Sequence, residues 1–154
     1  MAGVQDALSA HSLTLDPEFL LERSYAMAEG RAAMAALLNA PMRPTAVICG
    51  NDVLAIGALA ACRTRGLGVP DDVSIAGFDD VETASYVVPS LTTIRVRADE
   101  IGRRAADYLL GRLRNESLLD GIDVGVELVV RDSTKPPPEL RTIVPGLNEP
   151  ESSP

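Results

Sequence analysis

Residues 44–80 restrict the fold more than any other stretch. They open Pro44-Thr45-Ala46-Val47-Ile48-Cys49-Gly50-Asn51-Asp52 and close Val73-Ser74-Ile75-Ala76-Gly77-Phe78-Asp79-Asp80, with an apolar helical pattern between. Two short apolar runs joined by a helix read as strand, helix, strand, with the strands parallel. Each strand ends in polar residues, Asn51-Asp52 after the first and Asp79-Asp80 after the second. In an open parallel α/β sheet, ligands bind just outside the carboxyl ends of the strands. Four oxygen-bearing side chains are therefore expected to converge on one crevice, suited to a small polar molecule.

The flanking chain supplies further elements. Val4, Ala7, Leu8 and His11 fall at helical spacing with nothing before them to form a cap, as in a helix entered from its middle. A turn at Thr14–Pro17 leads to a short strand over 18–22 and a loop at 23–25. A helix over 27–39 follows, and Pro41 and Pro44 prevent its continuation. Residues 45–49 are wholly apolar, as expected of a strand covered on both faces. Asn51 caps a helix running to about Arg65, with Gly66 as its stop. Apolar atoms lie almost all round that helix, although packing on one sheet needs only a single stripe. Its other side requires another domain or another subunit, which implies a homodimer through the helix at 52–65.

Beyond it come a strand over 73–77, a short helix over 81–86 and a strand over 91–96. A helix at 98–114 has Ile101, Ala105, Tyr108, Leu109 and Leu113 on its apolar face, and a last strand covers 126–131. From Pro136 the chain is rich in Pro, Gly, Asn, Glu and Ser and cannot build a core. Residues 1–134 thus read as one domain and 135–154 as a tail.

Composition removes several functions. Among 154 residues the net charge is −8, and Lys135 is the only lysine. A DNA-binding surface needs clustered cations to displace counterions from phosphate, so nucleic acid is not expected to bind this stretch directly. Cys49 and Cys62 form neither a metal pattern nor a disulfide framework. They suit a reduced, cytoplasmic protein. No stretch is long enough to span a membrane, and the first residues lack the basic-then-apolar pattern of a signal peptide. There is no nucleophile elbow, dinucleotide fingerprint or phosphate loop. His11, the only histidine, has no partner nearby in the sequence. No catalytic residue, metal or cofactor is implied.

Each site residue has two readings. The Asn51 amide can donate to and accept from a hydroxyl-bearing ligand, or simply cap its helix, and both can hold together. Asp79 is favoured as a carboxylate acceptor for a hydroxyl-rich ligand such as a sugar. Asp80, of opposite strand parity, reads first as a turn or cap residue. Asp52, in the first helical turn, reads as structural and favoured by the helix dipole. Tyr25 lies at the same end of the sheet and could stack on a ligand, but by residue type alone it is an ordinary half-buried tyrosine.

An ordered series of short motifs now carries a family resemblance. It comprises Pro44-Thr45-Ala46, Asn51-Asp52, Ala55-x-Gly57, Gly66-Leu67-x-Val69-Pro70-x-Asp72-Val73-Ser74, Gly77-Phe78-Asp79-Asp80, Leu91-Thr92-Thr93-Ile94 and Leu128-Val129-x-Arg131-x-Ser133-Thr134. The chain over about 1–135 resembles the effector-binding domain of the lactose-repressor/galactose-repressor family of bacterial transcription regulators. The resemblance implies a three-layer, parallel-sheet, periplasmic-binding-protein-like fold of type I. It would be represented here mainly by the C-terminal subdomain, plus one helix (98–114) normally packed on the N-terminal subdomain. It implies effector contacts at Asn51 and Asp79, with Tyr25 stacking, and lower expectations for Asp52 and Asp80. Members bind operator DNA as dimers through a helix-turn-helix domain, which has no counterpart here. The expectation is a truncated product, a mis-assigned start or a fragment, unable to bind DNA alone and binding effector weakly. A solute-binding transport component of the same fold is the alternative. A phosphoacceptor domain using Asp79 fits poorly, because it needs an acidic metal-binding cluster and a lysine near the site.

Overall fold

The structure, a computed structural model, describes residues 2–114, 121 and 123–137. Most of the expected tail, from residue 138 on, lies outside the described residues. The elements are α1 (Ala2–Ala10), α2 (Met27–Asn39), β1 (Ala46–Ile48), α3 (Asp52–Thr64), β2 (Ser74–Ala76), β3 (Thr93–Val96), α4 (Ala98–Leu113) and β4 (Val126–Val129), with short 3-10 turns at Pro17–Phe19 and Glu82–Ser85.

The first turn replaces the strand expected over 18–22. Asp16 accepts the Glu18 N–H at 3.0 Å, and Pro17 occupies the first helical position. A side-chain cap and a preset proline φ outweigh a weak strand pattern.

α2 and α3 form the core with β2. Their backbones approach closely at two glycines. A Cβ on Gly30 would overlap the Leu54 carbonyl, and one on Gly57 would overlap the Met27 carbonyl. Around that crossing Met34, Leu37 and Leu38 of α2 pack with Ala55, Ala58, Leu59 and Cys62 of α3 and Ile75 of β2. Most of the second side of α3 is thus covered by α2 of the same chain. Another subunit is not needed for that purpose, because glycine lets the two helices meet at backbone distance. Exposed helix surface is left as a shallow groove bounded by Met27, Ala28, Arg31, Ala32, Ala35, Ile56, Gly57 and Ala60.

β1 and β2 pair in parallel, Ala46 with Ser74 and Ile48 with Ala76. β1 is not covered on both faces as its composition suggests. Val47 is half-buried, whereas Ala46 is exposed and Ile48 is 67% exposed. Side chains alternate across a strand, and the described chain covers only one face here.

β3 and β4 form an antiparallel ribbon, with Thr93 opposite Val129 and Val96 opposite Val126. The ribbon joins β2 through parallel bridges, Ala76 with Thr92 and Asp79 with Arg95. Its return is stitched into the core by Ser133. The Ser133 carbonyl accepts from Ile75 N–H at 2.8 Å, and its hydroxyl donates to the Ile75 carbonyl at 2.6 Å and accepts from Thr92 N–H at 2.8 Å. α4 leaves the ribbon with only Gly111 buried. Its apolar residues Ile101, Leu109, Leu110 and Leu113 stay exposed, and Ile101, Ala105, Tyr108 and Leu109 line an open hollow with Gly121 and Val124.

Candidate ligand-binding site

The carboxyl ends of β1 and β2 are drawn together by backbone bonds. Cys49 N–H donates to the Ala76 carbonyl at 2.8 Å, and Asp52 N–H donates to the Phe78 carbonyl at 2.8 Å. The turn that starts α3 is therefore locked to the turn that ends β2, which puts the two polar pairs of the sequence side by side.

Asn51 has extended backbone, φ −157° and ψ 172°, and its Oδ1 accepts the Leu54 N–H at 2.9 Å. This is N-capping of α3. The capping oxygen is thus engaged, and the amide nitrogen is the group left to donate to a ligand.

Tyr25 comes to this end from the loop before α2. A methyl group built on Gly50 would lie 3.4 Å from its Cε1 and 3.7 Å from its Oη. The ring stands beside Gly50, the neighbour of Asn51, and is 71% exposed. An open aromatic face next to an amide donor can stack on an apolar ring face while the donor meets a hydroxyl.

Asp79 is exposed and has φ +112°, a conformation rare for any residue but glycine. Its N–H is held by the Ile94 carbonyl at 2.9 Å. Partial burial, and then the nearby negative charge of Asp52, push its carboxyl above the ordinary range. A carboxylate of raised affinity for protons also gains from hydroxyl donors. Outlying φ values in the left-handed half of the map concentrate at ligand sites.

The remaining two aspartates face elsewhere. Asp52 is completely buried; its Oδ1 accepts the Thr93 hydroxyl at 2.5 Å and its Oδ2 the Val81 N–H at 2.8 Å. Gly77 makes room for it, since a Cβ there would overlap Asp52 Oδ1 and lie 3.1 Å from Leu91 Cδ2. Asp80 turns to Arg95 and Arg131, with ion pairs at 2.7 and 2.6 Å. Burial would raise its carboxyl, but the hydrogen bonds from Arg131 and Arg95, with their charges, outweigh that and hold it below the usual carboxylate range.

The structure therefore places Tyr25, Asn51 and Asp79 at one end of the parallel pair, Tyr25 and Asp79 exposed and Asn51 buried, while Asp52 and Asp80 are engaged by other groups of the chain. Sequence reasoning did not assign Thr93, Arg95 or Arg131 to these aspartates. The partners are 15 to 51 residues apart, beyond any local spacing rule. Gly50 also went unassigned, though a glycine before a capping residue marks a place where something approaches closely. Cys49 lies in the adjoining strand end; burial, then Asp52 and Cys62, push its thiol up to about 12, so it stays protonated and unreactive at neutral pH.

The chain and its fold are similar to those of known proteins. The pattern of the periplasmic binding protein-like domain matches residues 1–134. The repressor PurR of Haemophilus influenzae is 36% identical over 137 residues, a match covering 86% of this chain and 41% of PurR. A LacI-type putative regulator from Bacillus cereus superposes with a TM-score of 0.84 at 30% identity, covering 87% of this chain and 48% of that one. A sugar-binding regulator of the LacI family from Escherichia coli, solved with phosphate, superposes with a TM-score of 0.80 at 31% identity, covering 88% and 49%. The chain spans about two-fifths of the length of the curated relatives it matches. It belongs to the periplasmic binding protein-like domain family, in the form found in LacI-type transcriptional regulators.

Proposed function

We propose that this chain is the effector-sensing portion of a bacterial transcriptional regulator working in the cytoplasm. Its ligand is a small polar molecule rich in hydroxyls, a sugar or a related metabolite. The observation that carries this reading is Tyr25 standing beside Gly50 and Asn51 at the end of β1, with the turn that bears Asp79 bonded to the start of α3 through Asp52 N–H and the Phe78 carbonyl. The Tyr25 ring supplies a stacking face, the Asn51 amide a donor and the Asp79 carboxylate an acceptor. The relation to a sugar-binding regulator supports the carbohydrate class. DNA is read by a helix-turn-helix domain outside these residues, and the acidic charge of −8 argues against direct DNA contact. Self-association uses the groove between α2 and α3.

The test is calorimetric titration of the chain with pentoses, hexoses and nucleosides. Weak binding, abolished by Asp79→Asn and by Tyr25→Ala, is the expected result. Tight binding, or binding indifferent to both substitutions, would refute the assignment.

A further inference from the structure

The two aspartates that follow β2 are consecutive, yet they do different work. Asp79 points out toward solvent. The Asp80 side chain is 8% exposed, and both of its oxygens are taken. Oδ2 accepts from Arg95 Nε at 2.7 Å and Oδ1 from Arg131 Nη2 at 2.6 Å. Arg95 lies on β3, and its Nη1 also donates to Glu127 of β4 at 3.2 Å. Arg131 follows β4, and its Nη1 donates to the Leu91 carbonyl just before β3 at 2.8 Å. One carboxylate thus ties both strands of the β3–β4 ribbon to the end of β2. Farther along, Val126, Leu128 and Val130 are all exposed, so apolar packing does little to hold the ribbon's direction.

We infer that Asp80 is a positioning residue, fixing the ribbon against the strand end that carries Asp79. The inference rests on Asp79 being a ligand contact. Asp79 and Asp80 both hold positive φ, +112° and +58°. Non-glycine residues keep such angles only when their surroundings impose them. The surroundings here are the Asp79 N–H bond to Ile94 and the two arginines on Asp80. A ligand that draws the Asp79 carboxylate far enough to turn the peptide joining it to Asp80 passes that turn to the ribbon through the clamp. Two charge-assisted bonds, one from each arginine to a separate oxygen of one partly desolvated carboxylate, give the junction a defined geometry rather than a loose one.

The experiment uses the whole 154-residue chain. Amide hydrogen exchange and thermal unfolding are compared for the unaltered protein, Asp80→Asn, Arg131→Lys and Asp79→Asn. Asp80→Asn and Arg131→Lys are expected to speed exchange at 93–96 and 126–129 about tenfold while α2 and α3 exchange as before, since local opening is independent of the global core. Asp79→Asn leaves the ribbon unchanged. Acceleration spread evenly over the chain, or no acceleration in the ribbon, overturns the inference. D-ribose and D-galactose are then added. A change in ribbon exchange in the unaltered protein that vanishes in Asp80→Asn supports the coupling, and the same change persisting in Asp80→Asn refutes it. Should neither sugar bind, the carbohydrate reading of the site fails, while the sugar-free comparison still decides the clamp.

Discussion

Thr93 donates its hydroxyl to Asp52 at 2.5 Å inside a core where neither residue is exposed. The first turn of α3 is thereby bonded to the first residue of β3, and Val81 N–H fills the other oxygen of Asp52. Removing the carboxylate by Asp52→Ala leaves one buried donor and one half-buried donor without an acceptor. Such donors cost about 1–3 kcal/mol each, so a loss of about 3 kcal/mol in urea unfolding is expected. Gly77→Ala should be comparably damaging, because its Cβ would occupy the space of the carboxylate. A Gly77→Ala protein of unchanged stability would mean that Asp52 sits elsewhere.

Capping and ligand binding by Asn51 can be separated. Asn51→Ala removes the acceptor for Leu54 N–H and should cost about 1 kcal/mol of stability. Asn51→Asp keeps the capping oxygen and deletes the amide donor. Its urea midpoint should stay near that of the unaltered protein while sugar affinity drops about tenfold, the worth of one hydrogen bond to a ligand. Equal affinity for Asn51→Asp and the unaltered protein would confine Asn51 to capping.

Acid should act on the two terminal aspartates in a set order. The Asp79 carboxyl is raised by burial and by Asp52, so it takes up a proton first as pH falls. The folded state binds that proton more readily than the unfolded chain, so Asp79 costs stability at neutral pH and the cost is relieved on acidification. Asp80 is the opposite case. Burial is outweighed by Arg131 and Arg95, its carboxyl is lowered, and its contribution is complete above the ordinary carboxylate pKa of about 3.9. That contribution is lost only as pH falls further, through the folded value. Ligand titrations and ribbon exchange followed downward from neutral pH should show binding weaken before the ribbon loosens. The reverse order contradicts both assignments.

Self-association is open to a direct measurement. The groove between α2 and α3 exposes Ala32 beside Ile56 and Ala60. Sedimentation of the unaltered chain should show a concentration-dependent dimer, and Ala32→Glu should shift it toward monomer by placing a charge in the apolar contact. A chain that stays monomeric at every concentration, or a dimer untouched by Ala32→Glu, would remove this face from consideration.

The β1–α3–β2 unit was legible in the chain because its signals are local. Apolar runs, the capping Asn51 and the stop at Gly66 all act within a few residues of one another. The same locality let the ordered motifs identify the family. The sequence signal was insufficient where the deciding partner was remote or the local competitor was stronger. The side of α3 expected to need another domain or another subunit is largely closed by α2 of the same chain, through backbone approach at Gly30 and Gly57 that no hydrophobic pattern reveals. The strand at 18–22 gave way to the cap from Asp16 and the proline after it.

Among the four polar residues at the strand ends, the sequence by itself determined their presence and their common edge. Only the tertiary structure decided which of them face solvent. Asp52 turns inward because Gly77 leaves a space and Thr93 a donor, and Asp80 turns aside because Arg95 and Arg131 converge on it. A buried carboxylate goes where donors compensate its lost hydration, and those donors come from strands far along the chain.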